Sequence, residues 1–200
     1  MTSTSGTRHK ILAFAGSLRR ASLNKKLVKI AAEGARNAGA EVTYLDLADL
    51  GLPIYDGDLE AREGLPTGAR RLKQLMHEHD GFLISSPEYN SSVSAALKNA
   101  IDWASRPDPV VKSEPPLIAF AGKVAGLVSA SPGNLGGLRG LVHLRAILGN
   151  LQVLVIPDQV AVSGAGEAFD AAGNLKDGKK AAQVQAVGAR VAHLVAKLRG

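Results

Sequence analysis

The sequence predicts one α/β domain in which a parallel five-stranded sheet is covered by helices on both faces. Short apolar runs alternate along the chain with longer segments whose apolar residues recur at helical spacing. The chain has 200 residues, which suits a single hydrophobic core, and no repeat or linker divides it. Because crossovers between parallel strands are right-handed, a doubly wound sheet is the natural arrangement.

Five segments have the composition of strands. Residues 10–15 are continuously apolar after Lys10 and are followed by Gly16, as in a buried parallel strand. Residues 41–47 instead alternate between apolar and polar side chains, which is typical of a half-buried strand. The predicted strands are residues 10–15, 41–47, 81–85, 123–130 and 152–156.

Helical periodicity fills most of the intervening chain. Leu23, Leu27 and Ile30 lie on one face of the first helix, and Gly39 marks its end. Pro66 opens the second helix, since proline is tolerated in a first turn. The predicted helices are residues 23–38, 66–79, 93–105, 138–148 and 179–198; the predicted loops are 51–64, 106–116 and 163–178. Residues 1–9 are polar and are expected to be a flexible tail before a single domain at 10–200.

Composition narrows the classes of function. Hydrophobic residues make up 46% and charged residues 21%, a globular balance. The absence of cysteine excludes disulfides and thiol catalysis, and it fits a reducing compartment such as the cytoplasm. No apolar run approaches the roughly 20 residues of a membrane-spanning helix, so we expect no membrane insertion.

The formal net charge of +6 favours anionic partners. Nucleic acid is the first one to consider, but the basic residues are scattered and aromatic residues are only 4% of the chain, which leaves little for base stacking. We therefore expect small anionic molecules rather than nucleic acid. The five histidines form no metal-binding pattern, and we expect no protein-bound metal.

In doubly wound sheets, ligands bind beyond the carboxyl ends of the strands. The loop after the first predicted strand, GSLRRASLN, combines a turn glycine, short hydroxyl side chains and a guanidinium at the start of a helix. Such a helix N-terminus attracts anions, and it suits a terminal monophosphate. Ser22 alone fits helix capping equally well. The candidate ligands here are Ser17, Leu18, Arg19, Ser22, Leu23 and Asn24.

Neither common nucleotide loop is present. The chain lacks G-x-x-x-x-G-K-[ST], which excludes a P-loop nucleotidase, and it lacks G-x-G-x-x-G after the first strand, which argues against a dinucleotide held in the Rossmann manner.

Three stretches carry a specific resemblance: GSLRRASLN, PEYNSSVSAALKNAIDWASRP and GKVAGLVSASPGNLGGLRG. With them, the chain from about Lys10 onward resembles the NAD(P)H-dependent FMN reductase family, which includes bacterial quinone and chromate reductases and relatives of azoreductases. The resemblance implies a flavodoxin-like fold with strand order 2-1-3-4-5 and non-covalent FMN. The phosphate would lie on residues 17–24 and the isoalloxazine against residues 87–90.

The resemblance also assigns the remaining flavin contacts. A simpler interpretation of Tyr89 is a partly buried aromatic at a strand end, and the loop that begins at Ser131 fits a plain turn. Trp103 is interpreted as a core anchor. The implied contacts are Pro87, Glu88, Tyr89, Asn90, Ser131 and Gly133.

The implied reaction is hydride transfer from NADPH or NADH to FMN, then reduction of quinones, chromate, azo dyes, ferric chelates or free flavin by ping-pong kinetics. No catalytic side chain is required, because FMN carries the chemistry. The resemblance further implies a homodimer or homotetramer. Two alternatives remain: a flavodoxin-type electron carrier, whose usual acidity is opposite to the charge of this chain, and a flavin-free binding or regulatory module.

One position departs from the family pattern. Relatives commonly have Pro-Gly where this chain has Ser94-Ala95. Because serine and alanine continue a helix better than Pro-Gly does, we expect a different entry to this helix and a different outline of the acceptor pocket.

Overall fold

The protein is described from a computed structural model, which covers residues 9–199. The predicted tail therefore lies outside the described residues, apart from His9. Residues 10–199 form one parallel sheet with helices on both faces, which confirms the predicted fold class. No helix in this described part of the chain has the length and apolar character needed to cross a membrane.

The main sheet has five strands in the order β2-β1-β3-β6-β7, and every neighbouring pair is parallel. Counting only these five strands, the order is the predicted 2-1-3-4-5. A separate two-residue hairpin, β4 and β5, follows β3. The strands are β1 Lys10–Ala15, β2 Glu41–Leu45, β3 Gly81–Ser85, β4 Glu88–Tyr89, β5 Ser92–Val93, β6 Val124–Ala130 and β7 Leu154–Val162.

Two apolar cores lie on opposite faces of the sheet. One is built with α1 and α7, and the other with α3, α4 and α5. Central strand β3 is buried along its whole length, as expected for a strand covered on both faces. The helices are α1 Leu23–Asn37, α2 Gly57–Glu63, α3 Thr67–Glu78, α4 Ala95–Ser105, α5 Leu138–Asn150, α6 Ala165–Ala168 and α7 Gly178–Arg199, and Leu47–Leu50 forms a 3-10 turn.

Helices α1 and α7 approach closely because each has a glycine at the contact. A Cβ atom on Gly34 would lie 1.9 Å from the carbonyl oxygen of Gln185. A Cβ atom on Gly188 would lie 1.8 Å from the carbonyl oxygen of Ala31. Both distances are far below van der Waals contact, so this helix pair requires glycine at both positions.

Two predicted loops contain helices. Helix α2 lies inside the predicted loop 51–64, where the Asp56 carboxylate accepts hydrogen bonds from the backbone N–H groups of Asp58 and Leu59. It buries no residue, so it has no apolar stripe by which the sequence could be recognised as helical. The short helix α6 similarly interrupts the predicted loop 163–178.

The predicted boundaries of three other elements were wrong. Strand β2 ends at Leu45 rather than residue 47, because a 3-10 turn begins at Leu47. Strand β7 runs to Val162, six residues beyond the predicted end, and includes Pro157. Proline is tolerated there because β7 is an edge strand, and its pairing with β6 shifts register between Ala125 and Leu127. Helix α4 begins at Ala95 rather than residue 93, because Val93 belongs to β5 and Ser94 is the N-cap.

Candidate functional site

The strands β1, β3 and β6 end side by side, and one buried side chain ties their ends together. The amide nitrogen of Asn24 donates to the carbonyl oxygen of Ala130 at 2.8 Å. Its amide oxygen accepts from the Ser85 hydroxyl at 2.8 Å and from the backbone N–H of Ala130 at 3.0 Å. The Asn24 side chain therefore makes its hydrogen bonds within the protein. If Asn24 binds a ligand as predicted, it does so through its backbone N–H.

Two further serines brace this carboxyl edge of the sheet. The hydroxyl of Ser94 donates to the carbonyl of Gly16 at 2.5 Å and accepts from the backbone N–H of Leu97, so it caps α4 and links it to the loop after β1. The hydroxyl of Ser129 donates to the carbonyl of Ser86 at 2.6 Å. Ser94, one of the two residues that replace Pro-Gly, thus caps α4 and also makes a hydrogen bond to Gly16 across the site.

The first loop, residues 16–22, presents hydrogen-bond donors. The Oγ atoms of Ser17 and Ser22 accept from the backbone N–H groups of Arg19 at 3.3 Å and Lys25 at 3.4 Å, which leaves each hydroxyl hydrogen available. The first N–H groups of α1 have no partner within the helix. Leu18 and Arg19 are exposed. Ser22 is a helix cap, and the same hydroxyl can donate to an anion.

Glu88 follows β3, but its carboxylate points toward α5. It accepts from the guanidinium of Arg139 at 2.6 Å and from the backbone N–H of Gly140 at 3.1 Å. Burial alone would raise the pKa of Glu88, but the hydrogen bonds from Arg139 and Gly140 hold it below its usual value. Glu88 thus fastens the hairpin to α5. Arg139, on α5, is its ion-pair partner.

The hairpin β4–β5 turns through two residues with left-handed backbone, Asn90 at φ 50° and Ser91 at φ 65°. Positive φ at both central positions is typical of a type I′ turn, and it is uncommon for serine. Tyr89, before the turn, is 51% exposed rather than packed in a core. It borders an apolar groove of about 720 Å³ whose lining includes Val93 and Ile147.

The glycine loop, residues 131–137, follows β6. The Ser131 backbone is held by hydrogen bonds to Val162 and Ala165, and its hydroxyl oxygen accepts from the backbone N–H of Gly133 at 3.4 Å. A Cβ atom on Gly137, at φ 93°, would lie 1.9 Å from Oγ of Ser129. That glycine therefore serves close packing within the protein. Gly133 is exposed and remains the position at which the backbone is open to a ligand.

A fourth loop, after β2, also reaches this edge, and the sequence analysis assigned it no role at the site. Residues after β2 pack against Leu18 and α4 around a small cavity of about 110 Å³, lined in part by Leu47, Leu52 and Ala96. Asn99 fixes this loop, since its amide accepts from the backbone N–H of Tyr55 and donates to the carbonyl of Pro53, both at 2.8 Å. The sequence held one indication of this loop's position. The predicted strand order places β2 beside β1, so the loop after β2 is expected at the same edge of the sheet as the loop after β1.

This edge combines buried hydroxyl donors, backbone donors, an exposed guanidinium and an exposed aromatic ring. Such a set can bind and orient an anion and a flat ring. Within residues 9–199, no three histidine or acidic side chains are grouped as metal ligands. Trp103 does not reach the edge; it is fully buried, as interpreted, and its ring nitrogen donates to the carbonyl of Pro53.

Comparison with known proteins places this arrangement in a family. The family model described as NADPH-dependent FMN reductase matches residues 9–167. The chain is 36% identical over 192 residues to an NAD(P)H-dependent FMN reductase of Pseudomonas aeruginosa, covering 96% of this chain and 97% of that protein. It is 39% identical over 153 residues to a quinone reductase of Escherichia coli K12, covering 74% and 73% respectively.

The fold leads to the same family. FerB, a flavoenzyme NAD(P)H:(acceptor) oxidoreductase from Paracoccus denitrificans, superimposes with a TM-score of 0.78 at 29% identity, covering 94% of this chain and 98% of that one. The family match covers the three loops of the carboxyl edge and the helices that follow them. The chain belongs to the NADPH-dependent FMN reductase family.

Proposed function

We propose that this protein is an FMN-dependent NAD(P)H oxidoreductase that reduces quinones and other small oxidised acceptors. The observation that carries the proposal is the first loop, in which the hydroxyl hydrogens of two buried serines, the first N–H groups of α1 and exposed Arg19 are all available as donors. Several donors converging at a helix N-terminus suit a phosphate dianion.

The residues present fit FMN. Ser17, Arg19 and Ser22 would hold the phosphate together with the backbone N–H groups of Leu23 and Asn24. When bound, FMN supplies the two-electron chemistry that couples a nicotinamide to an acceptor. A fluorescence titration should show much tighter binding of FMN than of riboflavin, and equal affinities would remove the assignment of the first loop to phosphate.

The remaining loops would position the ring. The backbone of residues 87–90 and of the glycine loop offers N–H and carbonyl groups on two sides of the opening, and exposed Tyr89 and Leu18 offer apolar surface. Because Glu88 fastens the hairpin to α5 and Ser94 fastens α4 to the first loop, these walls are held before a ligand arrives. Preorganised walls of this kind lower the entropic cost of orienting two reactants.

The range of acceptors follows from the open site. Relatives named quinone reductase and FMN reductase support quinones and free flavin, and the same exposed surface would admit azo dyes, ferric chelates and chromate. The net charge of +6 would help to gather anionic acceptors and the nicotinamide nucleotide. We place the reaction in the cytoplasm, where NAD(P)H is supplied and a chain without cysteine is at no disadvantage.

Steady-state kinetics of the FMN-loaded protein tests this function. NAD(P)H and the acceptor are proposed to use the same opening in turn, so double-reciprocal plots should give parallel lines, with excess quinone competing against NAD(P)H. Intersecting lines would indicate separate sites for the two substrates. A bound flavin that neither nicotinamide reduces, but that a partner reductase does, would favour the electron carrier instead.

A second copy of this chain is proposed to cover the groove beside Tyr89. Exposed apolar side chains continue from that groove along the glycine loop and α5, where Leu135, Leu138 and Val142 are 50%, 41% and 58% exposed. Contiguous apolar surface on a small protein is typical of an interaction site. Because Tyr89 belongs to both the groove and the proposed flavin site, the covering copy would also shape that site.

Sedimentation analysis tests this assembly. Val142→Glu should convert a dimer or tetramer into a smaller species, because an unpaired carboxylate cannot be buried in an apolar interface. Leu198→Glu is the matched control, since Leu198 is 57% exposed at the end of α7, outside the groove. A monomeric unmodified protein, or an unchanged assembly of Val142→Glu, would contradict the proposal.

A further inference from the structure

A second groove opens beside the first loop, along the outer side of α1. It has a volume of about 530 Å³, within the range of small-ligand sites. Ala21 and Ser22 line it, so it continues directly from the proposed phosphate site. Arg20, Lys26 and Lys29 supply its positive charge, and we call it the cationic groove.

The acidic groups of this groove are already neutralised by other partners. Asp46 is paired with Lys25 at 2.6 Å, and Glu33 is paired with Arg36 at 2.7 Å. Among residues 9–199, no carboxylate lies within ion-pair distance of Arg20, Lys26 or Lys29. The groove therefore keeps three cations for a ligand.

Aromatic rings orient two of these cations. The ammonium of Lys29 lies 4.9 Å from the ring centre of Tyr44, and that of Lys26 lies 5.8 Å from the ring centre of Phe169. Lys26 and Lys29 are three residues apart on α1 and thus share one face of the helix. Burial, together with the nearby carboxylates of Asp46 and Asp49, raises the pKa of Tyr44 to about 12.

We propose that the cationic groove is the site of the 2′-phosphate of NADPH, so that Arg20, Lys26 and Lys29 are the residues that distinguish NADPH from NADH. FMN has a single phosphate, for which the first loop already provides donors. NADPH differs from NADH only by one further phosphate monoester, and three cations that form no ion pair within residues 9–199 match that difference. Ile30 and Ala172 add apolar lining for the adenosine half. This inference rests on the proposed function.

Kinetics with both nicotinamides tests the groove. In the FMN-loaded protein, Arg20→Ala/Lys29→Ala should raise KM for NADPH at least about tenfold, leaving kcat for NADPH and KM for NADH nearly unchanged. Lys197→Ala, an exposed lysine near the end of α7, is the control for lost positive charge. An equal rise of KM for both nicotinamides, or weakened binding of FMN, would overturn the proposal.

A binding measurement separates this proposal from the proposed function. Calorimetric titration with 2′,5′-ADP should show binding to the wild-type protein that weakens at least about tenfold in the double variant, while binding of 5′-AMP does not change. Equal binding of 2′,5′-ADP to both proteins would overturn the groove. If neither nicotinamide reduces the flavin but 2′,5′-ADP still binds through these cations, the proposed role of the groove is supported and the proposed oxidoreductase function is contradicted.

Discussion

Polar side chains gather at both edges of the parallel sheet, but the two edges use them differently. At the amino edge, buried Lys123 donates to the carbonyl oxygens of His77 at 2.7 Å and His79 at 2.5 Å, and burial lowers the pKa of its ammonium. The His79 ring contacts the carbonyl of Leu75 and the hydroxyl of Thr43. These groups satisfy one another and close this end of the domain.

The carboxyl edge has a satisfied inner frame and an open outer layer. The frame is the set of hydrogen bonds made by Asn24, Ser94 and Ser129. Outside it, Arg19 and Arg20 are exposed and form no ion pair within the described residues 9–199. Polar character alone therefore does not distinguish the two edges; the carboxyl edge differs in having donors without partners around a rigid frame, and we propose that these donors bind the ligand. Four substitutions separate the two roles.

Asn24→Ala should have the largest effect, because it removes three buried hydrogen bonds from the frame. At roughly 1 kcal/mol for each bond, we expect a loss of about 3 kcal/mol in the free energy of unfolding, together with weaker FMN binding. Urea denaturation measures the first and flavin fluorescence the second. Asn150→Ala, at the exposed end of α5, is the control and should cost less than about 0.5 kcal/mol. A similar small cost for Asn24→Ala would show that the frame does not hold the edge.

Lys123→Met removes two hydrogen bonds at the amino edge and none at the carboxyl edge. It leaves two carbonyl oxygens without their donor, so we expect a loss of about 2 kcal/mol in the free energy of unfolding. FMN affinity should not change, because the residue lies at the opposite end of the sheet. Lys197→Met controls for the lost charge. A change in FMN affinity would mean that the two edges are coupled.

Arg19→Ala should change ligand binding at the carboxyl edge and leave protein stability unchanged. We expect FMN binding to weaken by roughly 1.5–3 kcal/mol, the range for a hydrogen bond to a charged group, while the flavin-free protein keeps its stability. Fluorescence titration and urea denaturation measure the two quantities. Arg71→Ala, an exposed arginine on α3, removes the same charge elsewhere and should leave FMN affinity unchanged. An unchanged FMN dissociation constant in Arg19→Ala would mean that Arg19 is only solvated, or that it serves NADPH.

Glu88→Gln should have the smallest effect, about 1 kcal/mol at neutral pH, because its partner Arg139 is half exposed. The folded pKa of Glu88 lies below its usual value, so its contribution is present above that value and is lost as pH falls through the folded pKa. The difference between wild type and variant in urea denaturation should therefore shrink as the pH falls below the usual pKa of a glutamate. A difference that is constant with pH would contradict the ion pair. Glu167→Gln, on exposed α6, serves as the control.

Much of this protein follows from its sequence alone. The alternation of apolar runs and helical periodicity predicted all five sheet strands and the five longer helices, because both patterns are local. The loops after β1, β3 and β6 were likewise recognisable from their glycine, serine and proline content. Helix α2 was not, since it is held by contacts such as the Glu60–Arg106 ion pair rather than by an apolar stripe.

The directions in which the side chains of the site point depend on contacts that form only in the folded chain. Asn24 and Glu88 were both predicted ligands, yet one bonds to Ala130 and Ser85 and the other to Arg139. These partners lie at least 51 residues away along the chain, so no local pattern contains them. The cationic groove has the same origin, because α1, β2 and the loop before α7 bring its cations and aromatic rings together only when the chain folds.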